Sequence, residues 1–191
     1  MCDRCESRMR RKMIKKDRRK HFVSLVGERY ASAVLDDLGS DVRLKIVNLP
    51  EGKDMFLTGG VGRGKTWAMA AMIKHYLTQG YVCKRINFDE FCVKVRSTFN
   101  SKSQSEWQYI KPYIECDMLF IDDLGLRKTE SDFAYVTLYS LLNKRQESML
   151  STIISSNRSL SQLKDAFDSR IESRMSMAEI IEFTGPDRRK Q

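Results

Sequence analysis

Residues 55–66 read Met-Phe-Leu-Thr-Gly-Gly-Val-Gly-Arg-Gly-Lys-Thr and decide the fold of this 191-residue chain. The first four are a short apolar run typical of a buried strand, and residues 65–79 form an amphipathic segment that ends at Gly80, a helix-stop signal. Gly59–Thr66 fit the pattern G-x-x-x-x-G-K-[ST], which is specific when a strand precedes it and a helix follows. Because both flanks are present, we predict a phosphate-binding loop rather than an ordinary glycine-rich turn.

Each residue type in this loop has a mechanical role. Glycines permit backbone angles that point successive N–H groups at phosphate oxygens, and the following helix places its positive N-terminal end at the same spot. Lys65 would reach the β and γ phosphates of a nucleotide, and the Thr66 hydroxyl would ligate Mg²⁺. The predicted nucleotide contacts are Gly59, Gly60, Val61, Gly62, Arg63, Gly64, Lys65, Thr66 and Trp67.

A second candidate site follows the apolar run of residues 118–121, which ends in Asp122 and Asp123. Parallel strands present such carboxylates at their C-terminal ends, where open α/β sheets hold their ligands. We expect Asp122 to hold Mg²⁺ through water, and Asp123 to orient or deprotonate the attacking water. A strand that ends in an Asx-type turn is the alternative, since Asp-Asp-Leu-Gly suits such a turn.

Asn157 ends the next apolar run, residues 151–156. Its amide supplies both a donor and an acceptor, so it is placed to bind the γ phosphate or the attacking water. An ordinary Ser-Asn turn is the alternative interpretation.

Arg170 and Arg174 are spaced i and i+4, on one face of a predicted helix. Arginine stays protonated and presents a planar fork of donors, which suits charge on a transferred phosphoryl group. Because these residues lie so late in the chain, we expect their side chains to reach the nucleotide of a neighbouring subunit rather than their own, as a trans arginine finger. A solvated helix face, with Glu172 available for pairing, is the alternative.

Short apolar runs alternate with amphipathic segments from residue 53 onward, which predicts βαβ units and a parallel sheet. A strand-like run lies between the loop helix and the acidic strand, so there is room for a strand inserted between those two in the sheet. The predicted class is α/β, a three-layer fold with a five-stranded parallel sheet. The expected strands are Met55–Thr58, Tyr81–Asn87, Asp117–Ile121, Ser151–Ser155 and Glu179–Phe183, and the expected helices span residues 65–79, 89–99, 105–115, 130–147 and 161–176.

The net charge of +9 is concentrated at the two ends of the chain. Residues 1–20 hold ten basic and three acidic side chains, a net charge of +7. The last five residues hold three basic side chains and one acidic side chain, a net charge of +2, so residues 21–186 are neutral overall. We divide the chain into a basic arm with a CxxC motif at 1–26, a lead-in at 27–52, and a core with a short basic tail at 53–191. One domain is expected at this length.

The sequence also bears on location. Membrane spans need about 20 consecutive apolar residues, and neither such a run nor a signal peptide is evident, so we expect a cytoplasmic protein without a membrane partner. Five cysteines, an odd number, argue against a disulfide framework. Cys83, Cys92 and Cys116 are predicted to be buried small groups.

The basic arm is a candidate nucleic-acid contact, because neutralised phosphates release counterions and give affinity independent of sequence. A solvated charge run is the alternative. Cys2 and Cys5 form half of a tetrahedral zinc site that nothing nearby completes, so zinc shared with another chain is the weaker interpretation. The candidate contact residues of the arm are Arg8, Arg10, Arg11, Lys12, Lys15, Lys16, Arg18 and Arg19.

Four segments, taken in order, resemble the AAA+ ATPases of the DnaC/IstB type. They are Gly-Gly-Val-Gly-Arg-Gly-Lys-Thr, Leu-Phe-Ile-Asp-Asp-Leu-Gly, Thr-Ile-Ile-Ser-Ser-Asn and Ser-Arg-Ile-Glu-Ser-Arg-Met. Proteins of this type are bacterial and phage helicase loaders and transposition helper ATPases. The resemblance covers about residues 27–188. It implies that Gly59–Thr66 are Walker A, Asp122 and Asp123 Walker B, Asn157 sensor 1, and Arg174 the arginine finger with Arg170 beside it.

By this resemblance the protein would bind and hydrolyse ATP slowly, assemble with itself on DNA, and load a replicative helicase onto single-stranded DNA. A transposition helper on duplex DNA, or a nucleotide-switched adaptor that hardly hydrolyses, are alternatives, and a small-molecule kinase is a further rival. The arm would then contact either DNA or the helicase.

Two departures from the family pattern matter. Most AAA+ proteins have Glu where this chain has Asp123, which argues against fast hydrolysis. Seventeen residues after Arg174 are too few for a full C-terminal lid domain, and Arg188 is the candidate substitute for the lid's sensor 2.

Overall fold

Five parallel strands form one sheet in the order β2-β3-β4-β1-β5 within the part of the chain that the computed structural model describes, residues 18–100, 105–125 and 131–187. The bounds are Met55–Thr58 for β1, Cys83–Asn87 for β2, Met118–Leu124 for β3, Ser151–Ser156 for β4 and Glu179–Glu182 for β5. The predicted five-stranded α/β fold is confirmed. Strand ends differ from the predicted ones by up to three residues, because the sequence pattern alone marks such ends poorly.

The strand inserted between the phosphate-loop strand and the acidic strand is β4. It pairs with β1 on one side, with Thr58 opposite Ser156, and with β3 on the other, with Ile121 opposite Ile154. Strand β2 lies beyond β3, at the sheet edge. Parallel strands end at the same edge, so this order brings the ends of β1, β4 and β3 side by side.

The helices cover both faces of the sheet. They are α1 (Arg18–Val26), α2 (Ser40–Val47), α3 (Lys65–Gln79), α4 (Phe88–Ser97), α5 (Glu106–Ile114), α6 (Asp132–Glu147), α7 (Leu160–Ala166) and α8 (Ser169–Met175). Short 3₁₀ turns occur at Glu28–Tyr30, Leu35–Asp37 and Thr98–Asn100. None of these described helices has the length and apolar character needed to cross a bilayer.

The two sheet faces carry separate apolar clusters. On one face, Phe22 of α1 and Met69 and Met72 of α3 pack with Phe120. On the other face, Phe56 and Leu138 belong to a cluster that also contains residues of α4, α7 and α8. The buried cysteines Cys83, Cys92 and Cys116 lie in these layers. Burial raises the pKa of the Cys83 and Cys116 thiols, which keeps them in their unreactive protonated form.

The single helix predicted over residues 161–176 is wrong, because the structure has two helices there. The backbone leaves the helical region at Phe167, and the Asp168 carboxylate then accepts hydrogen bonds from the N–H groups of Arg170 and Ile171, at 2.7 and 3.3 Å. This is an N-cap, so α8 begins anew at Ser169. The segment contains neither Gly nor Pro, so the helical spacing of its apolar residues gives no sign of the break.

Helix α1 is packed onto the body rather than projecting from it. Phe22 and Val26 are each only 5% exposed and join the cluster formed around α3. The next residue, Gly27, donates its N–H to the Val23 carbonyl at 2.7 Å. The division at residue 26 stays a prediction, but residues 18–26 contribute to the core.

This packing gives the first test. Replacing Phe22 by Ala should lower the free energy of unfolding by about 3 kcal/mol, because it leaves a cavity beside α3. Urea denaturation followed by circular dichroism measures this, and Val93→Ala, at a site that is 62% exposed, serves as the control. Equal stability of the two variants would show that α1 is not part of the core.

Candidate nucleotide-binding site

A cleft of about 420 Å³ lies at the carboxyl ends of the strands. It collects residues from the lead-in, the phosphate loop, the end of β3 and the end of β4. Its lining is Arg29, Tyr30, Asp37, Val61, Gly62, Arg63, Gly64, Lys65, Thr66, Trp67, Asp123 and Asn157.

The loop between β1 and α3 depends on glycine. Gly59 has φ +135°, and a Cβ there would lie 2.2 Å from the Phe183 carbonyl oxygen. That carbonyl cannot move away easily, because the Phe183 N–H donates to the Thr58 carbonyl at 2.7 Å where the chain leaves β5. Gly64, at φ 96°, sets the N-terminus of α3. The loop therefore keeps its backbone N–H groups close to the cleft.

Lys65 is the buried cation of the loop, with 5% of its surface exposed. Its ammonium donates to the carbonyl oxygens of Gly59 at 2.6 Å and Gly60 at 2.8 Å, and to Oδ1 of Asn157 at 2.6 Å. The last contact joins the loop after β1 to the end of β4. The structure thus brings together two of the predicted residues that are 92 positions apart in sequence.

The acidic pair at the end of β3 splits into a buried and a cleft-lining carboxylate. Asp122 is 1% exposed and accepts hydrogen bonds from Arg85 Nη2 at 2.5 Å and from the Ser155 hydroxyl. Asp123 lines the cleft. The β3–β4 register shifts between Ile121 and Leu124, and bulges of this kind re-aim side chains next to functional sites.

Asp123 has φ +58°, in the left-handed region that is uncommon for residues other than glycine. Its N–H donates to the Ser155 hydroxyl at 3.1 Å, and the same hydroxyl donates to Asp122. One serine on β4 therefore fixes both members of the acidic pair. Such local strain persists only where the surroundings hold it, and it is common at active sites.

The donor set of this cleft fits a magnesium–nucleotide complex. Mg²⁺ prefers hard oxygen ligands. Thr66 and Asp123 line the cleft, and Asp122 lies buried next to Asp123 at the end of β3. Loop N–H groups and Lys65 supply the positive charge that phosphates require. The residues present are therefore suited to bind both.

Three residues of the cleft lining were not among the predicted contacts: Arg29, Tyr30 and Asp37. Trp67 Nε1 donates to Asp37 at 2.9 Å, and Trp67 meets Tyr30 edge to face, with ring centroids 6.2 Å apart. Hydrogen bonds from the Val34 N–H and from Trp67 hold the pKa of Asp37 below its usual value. Arg29 lies over the Tyr30 ring at 5.8 Å. The sequence signal for these residues was weak, since only the family resemblance extended into this lead-in.

Arg85 and Ser155 were also missed. They lie within β2 and β4, where a polar side chain next to a buried carboxylate could have signalled a partner. No spacing rule connects three different strands, so only the sheet register reveals the contact.

Arg174 lies in a second cavity, with Tyr139 and Gln146, and is absent from the lining of the loop cleft. Its guanidinium donates to Tyr139 Oη at 2.8 Å and to Gln146 Oε1 at 3.1 Å, and it stacks over the Tyr139 ring at 4.4 Å. Arg170 lines the same cavity and is exposed. Neither arginine is among the residues around its own chain's phosphate loop.

The remaining predicted residues lie at or beyond the ends of the described chain. Arg18 is the first residue of α1, and Arg19 is exposed on that helix. The other residues fall outside the described part, so their roles stay predictions: Cys2, Cys5, Arg8, Arg10, Arg11, Lys12, Lys15, Lys16 and Arg188.

The parallel sheet, with β4 inserted between the phosphate-loop strand and the acidic strand, has the fold of the DnaC-type AAA+ domains. The model of the bacterial DnaA ATPase domain matches residues 20–182, and the chain belongs to this family. The predicted relation to DnaC-type AAA+ proteins is confirmed as well.

Two curated relatives illustrate this relation. The chain is 29% identical over 136 residues to the chromosomal replication initiator protein DnaA of Campylobacter concisus, covering 70% of this chain and 30% of that protein. It is 25% identical over 118 residues to the replicative helicase loader DnaC of Escherichia coli, covering 62% of this chain and 48% of DnaC. The chain thus spans less than half the length of either relative.

The fold is shared with a crystal structure of the DnaC helicase loader. The TM-score is 0.72 at 21% sequence identity, and the match covers 82% of this chain and 99% of that one.

Loop geometry leads to a second test. Gly59→Ala should lose at least about 2 kcal/mol of stability and most nucleotide affinity, because a positive φ and a clash with backbone both oppose the added Cβ. Fluorescence titration with a labelled ATP analogue and urea denaturation measure the two effects.

The matched control is Gly39→Ala, since Gly39 precedes α2 with φ −57° and a Cβ there meets nothing within 4 Å. We expect that variant to bind nucleotide as the wild type does. A Gly59→Ala protein that binds equally well would show that the loop does not hold the nucleotide.

Proposed function

We propose that this protein binds and hydrolyses ATP in assemblies of several copies on DNA, and that it loads a replicative helicase onto single-stranded DNA. One observation supports ATP hydrolysis in particular. Lys65 donates to Asn157, and both residues line the same cleft as Asp123. The same edge of the sheet therefore holds a cation that can bind phosphates, together with an amide and a carboxylate that can orient a water.

Within the cleft, each residue has a separate task. Lys65 binds the β and γ phosphates, and Asp123 and Asn157 orient the attacking water for in-line displacement. Magnesium, held by Thr66 and Asp122, supplies charge neutralisation between the phosphates when it is bound. Tyr30 and Trp67, whose rings meet edge to face in the lining of the cleft, would contact the nucleobase.

Hydrolysis is expected to be slow in the isolated protein. Asp123 has a shorter side chain than the Glu usual at this place, so it reaches less far towards a water. Activation by DNA or by the helicase would then set the rate, which suits a protein that uses ATP to time a loading event.

Arg174 completes the site of a neighbouring copy in this proposal. It is half-buried, held by Tyr139 and Gln146, and absent from its own cleft. A guanidinium fixed in this way loses little entropy when it meets a phosphate. Arg170, which is exposed on the same face, is its neighbour in the contact.

Helicase loading is supported by the similarity to the loader DnaC, and DNA binding by the basic arm. A transposition helper on duplex DNA ranks second. The proposed site of action is the bacterial cytoplasm, in the cell that makes the protein or in one that a phage has infected.

Mixing two inactive variants tests the shared site. Asp123→Asn should bind ATP without turnover, since Asn tolerates the left-handed backbone at this position, and Arg174→Ala should do the same. When the two are mixed equally, about one quarter of the sites pair an intact cleft with an intact arginine, so about one quarter of wild-type phosphate release should return. Turnover is measured with single-stranded DNA present.

The control for the arginine is Arg96→Ala, which removes a comparable stacking contact with Phe133 at 4.6 Å and should leave turnover unchanged. A mixture as inactive as its components would refute the trans arrangement. Wild-type turnover no higher than that of Asp123→Asn would favour the nucleotide-switched adaptor instead.

Charge neutralisation tests the arm. Replacing Arg10, Arg11, Lys15 and Lys16 by Gln should reduce the slope of log affinity against log salt by up to about 3 for single-stranded DNA, because each phosphate contact contributes roughly 0.7. Fluorescence anisotropy at several salt concentrations measures the slope, and ATP binding should not change.

The matched control removes four cations of the body with the substitutions Arg43→Gln, Lys94→Gln, Lys111→Gln and Lys164→Gln. If this control lowers the slope as much as the arm variant does, the arm is not the DNA contact.

A further inference from the structure

Arg85 connects two parts of the molecule that the sequence does not relate. Its Nη2 donates to Oδ2 of Asp122 at 2.5 Å, and its Nη1 donates to the carbonyl oxygen of Leu25 at 3.1 Å. Asp122 belongs to the candidate magnesium site, and Leu25 is in the last turn of α1. One guanidinium therefore bridges the metal site and the N-terminal helix.

Both carboxylate oxygens of Asp122 are engaged by protein donors. Arg85 holds Oδ2, and the Ser155 hydroxyl holds Oδ1. The carboxylate is 1% exposed, whereas the Arg85 side chain is 22% exposed. Since a buried carboxylate needs a counter-charge, the guanidinium meets the need that a cation at this site would otherwise meet.

A divalent cation and a guanidinium repel each other at such short range, more strongly in a buried site than in water. Among the described residues, Asp122 accepts from Arg85, which is charged and partly exposed to solvent, and from Ser155, which is neutral and buried. A cation that Asp122 holds, even through water, would lie close to this guanidinium. Because the two charges repel each other, binding of the cation would weaken or displace the bond of Arg85 to Oδ2.

The second contact of Arg85 gives this displacement a mechanical consequence. The last carbonyls of a helix lack partners within the helix, and Arg85 supplies one for Leu25. Movement of the guanidinium removes that bond, and helix α1 is the C-terminal part of the basic arm. The docking of α1 through the bond from Arg85 to Leu25 and the affinity of the site for metal are then linked. Metal binding would weaken the docking, and firmer docking would lower the affinity for metal.

We propose that Arg85 is a built-in counter-ion that competes with Mg²⁺ for Asp122 and couples occupancy of the metal site to the docking of helix α1. The proposal rests on the proposed function only in taking Asp122 to serve a magnesium–nucleotide site. Arg85 is a positioning residue, since it acts on the metal and nucleotide through Asp122.

The primary test is the Mg²⁺ dependence of nucleotide binding. A labelled, non-hydrolysable ATP analogue is titrated at a series of free Mg²⁺ concentrations, and the Mg²⁺ midpoint is compared among variants. Arg85→Gln should lower the midpoint at least roughly tenfold, because it removes the competing charge. Arg43→Gln, which breaks an exposed 2.7 Å ion pair with Asp36, should leave the midpoint at the wild-type value.

A second variant separates charge from bridging. Lysine at position 85 keeps the positive charge but has a single ammonium in place of the two-ended fork. The midpoint of Arg85→Lys should stay near that of the wild type. Hydrogen exchange at Arg18–Gly27 should be faster than in the wild type, since lysine is shorter than arginine and lacks the planar fork that directs separate N–H groups at Asp122 and at Leu25.

Hydrogen exchange also tests the coupling directly. In the wild type, magnesium with the analogue should accelerate exchange in the last turn of α1, where the Gly27 N–H bonds the Val23 carbonyl. In Arg85→Gln the exchange should already be fast without ligand and should not respond. If Arg85→Gln fails to fold, this measurement on the wild type and on Arg85→Lys still decides the question.

Failure of this inference can be told from failure of the proposed function. A wild-type protein that binds the analogue while Arg85→Gln has an unchanged or higher Mg²⁺ midpoint overturns the inference alone. Exchange in α1 that ignores the ligand also overturns it. A wild-type protein that binds no analogue at any Mg²⁺ concentration overturns both.

Discussion

The position of β4 between β1 and β3 is the constraint on which the candidate site depends. It places Ser155 beside the acidic pair and Asn157 beside the phosphate loop, so that the Lys65 ammonium reaches Asn157 Oδ1 at 2.6 Å. A different strand order would leave the same side chains at the same sheet edge without these contacts. The chemistry of the cleft therefore follows from topology as much as from the loop motif.

Much of this arrangement was predictable from sequence because it is local. The phosphate loop, its flanking strand and helix, and the glycine that ends the helix at position 80 all lie within one continuous stretch. The order of elements left room for an inserted strand, and the structure shows that this strand is β4. Asn157 was identified because it ends an apolar run, which places it at the same sheet edge as Asp122.

The features that escaped prediction depend on register or on competition between local signals. Arg85 contacts Asp122 from another strand and Leu25 from a helix, and no pattern within one segment can encode such a bridge. Tyr30 and Asp37 reach the cleft only through the path of the lead-in. The break before α8 is a capping effect, in which Asp168 bonds the backbone of the next turn and overrides a continuous helical period.

Under the proposed function, the loop cleft and the Arg174 cavity would be two halves of one site on neighbouring copies, and Arg85 would relate metal occupancy to helix α1. We therefore expect nucleotide to drive the association of copies. Light scattering of the wild-type protein, with and without a non-hydrolysable ATP analogue and single-stranded DNA, tests it most directly. We expect a mass of several copies when the analogue and DNA are present. A monomer under every condition would contradict it.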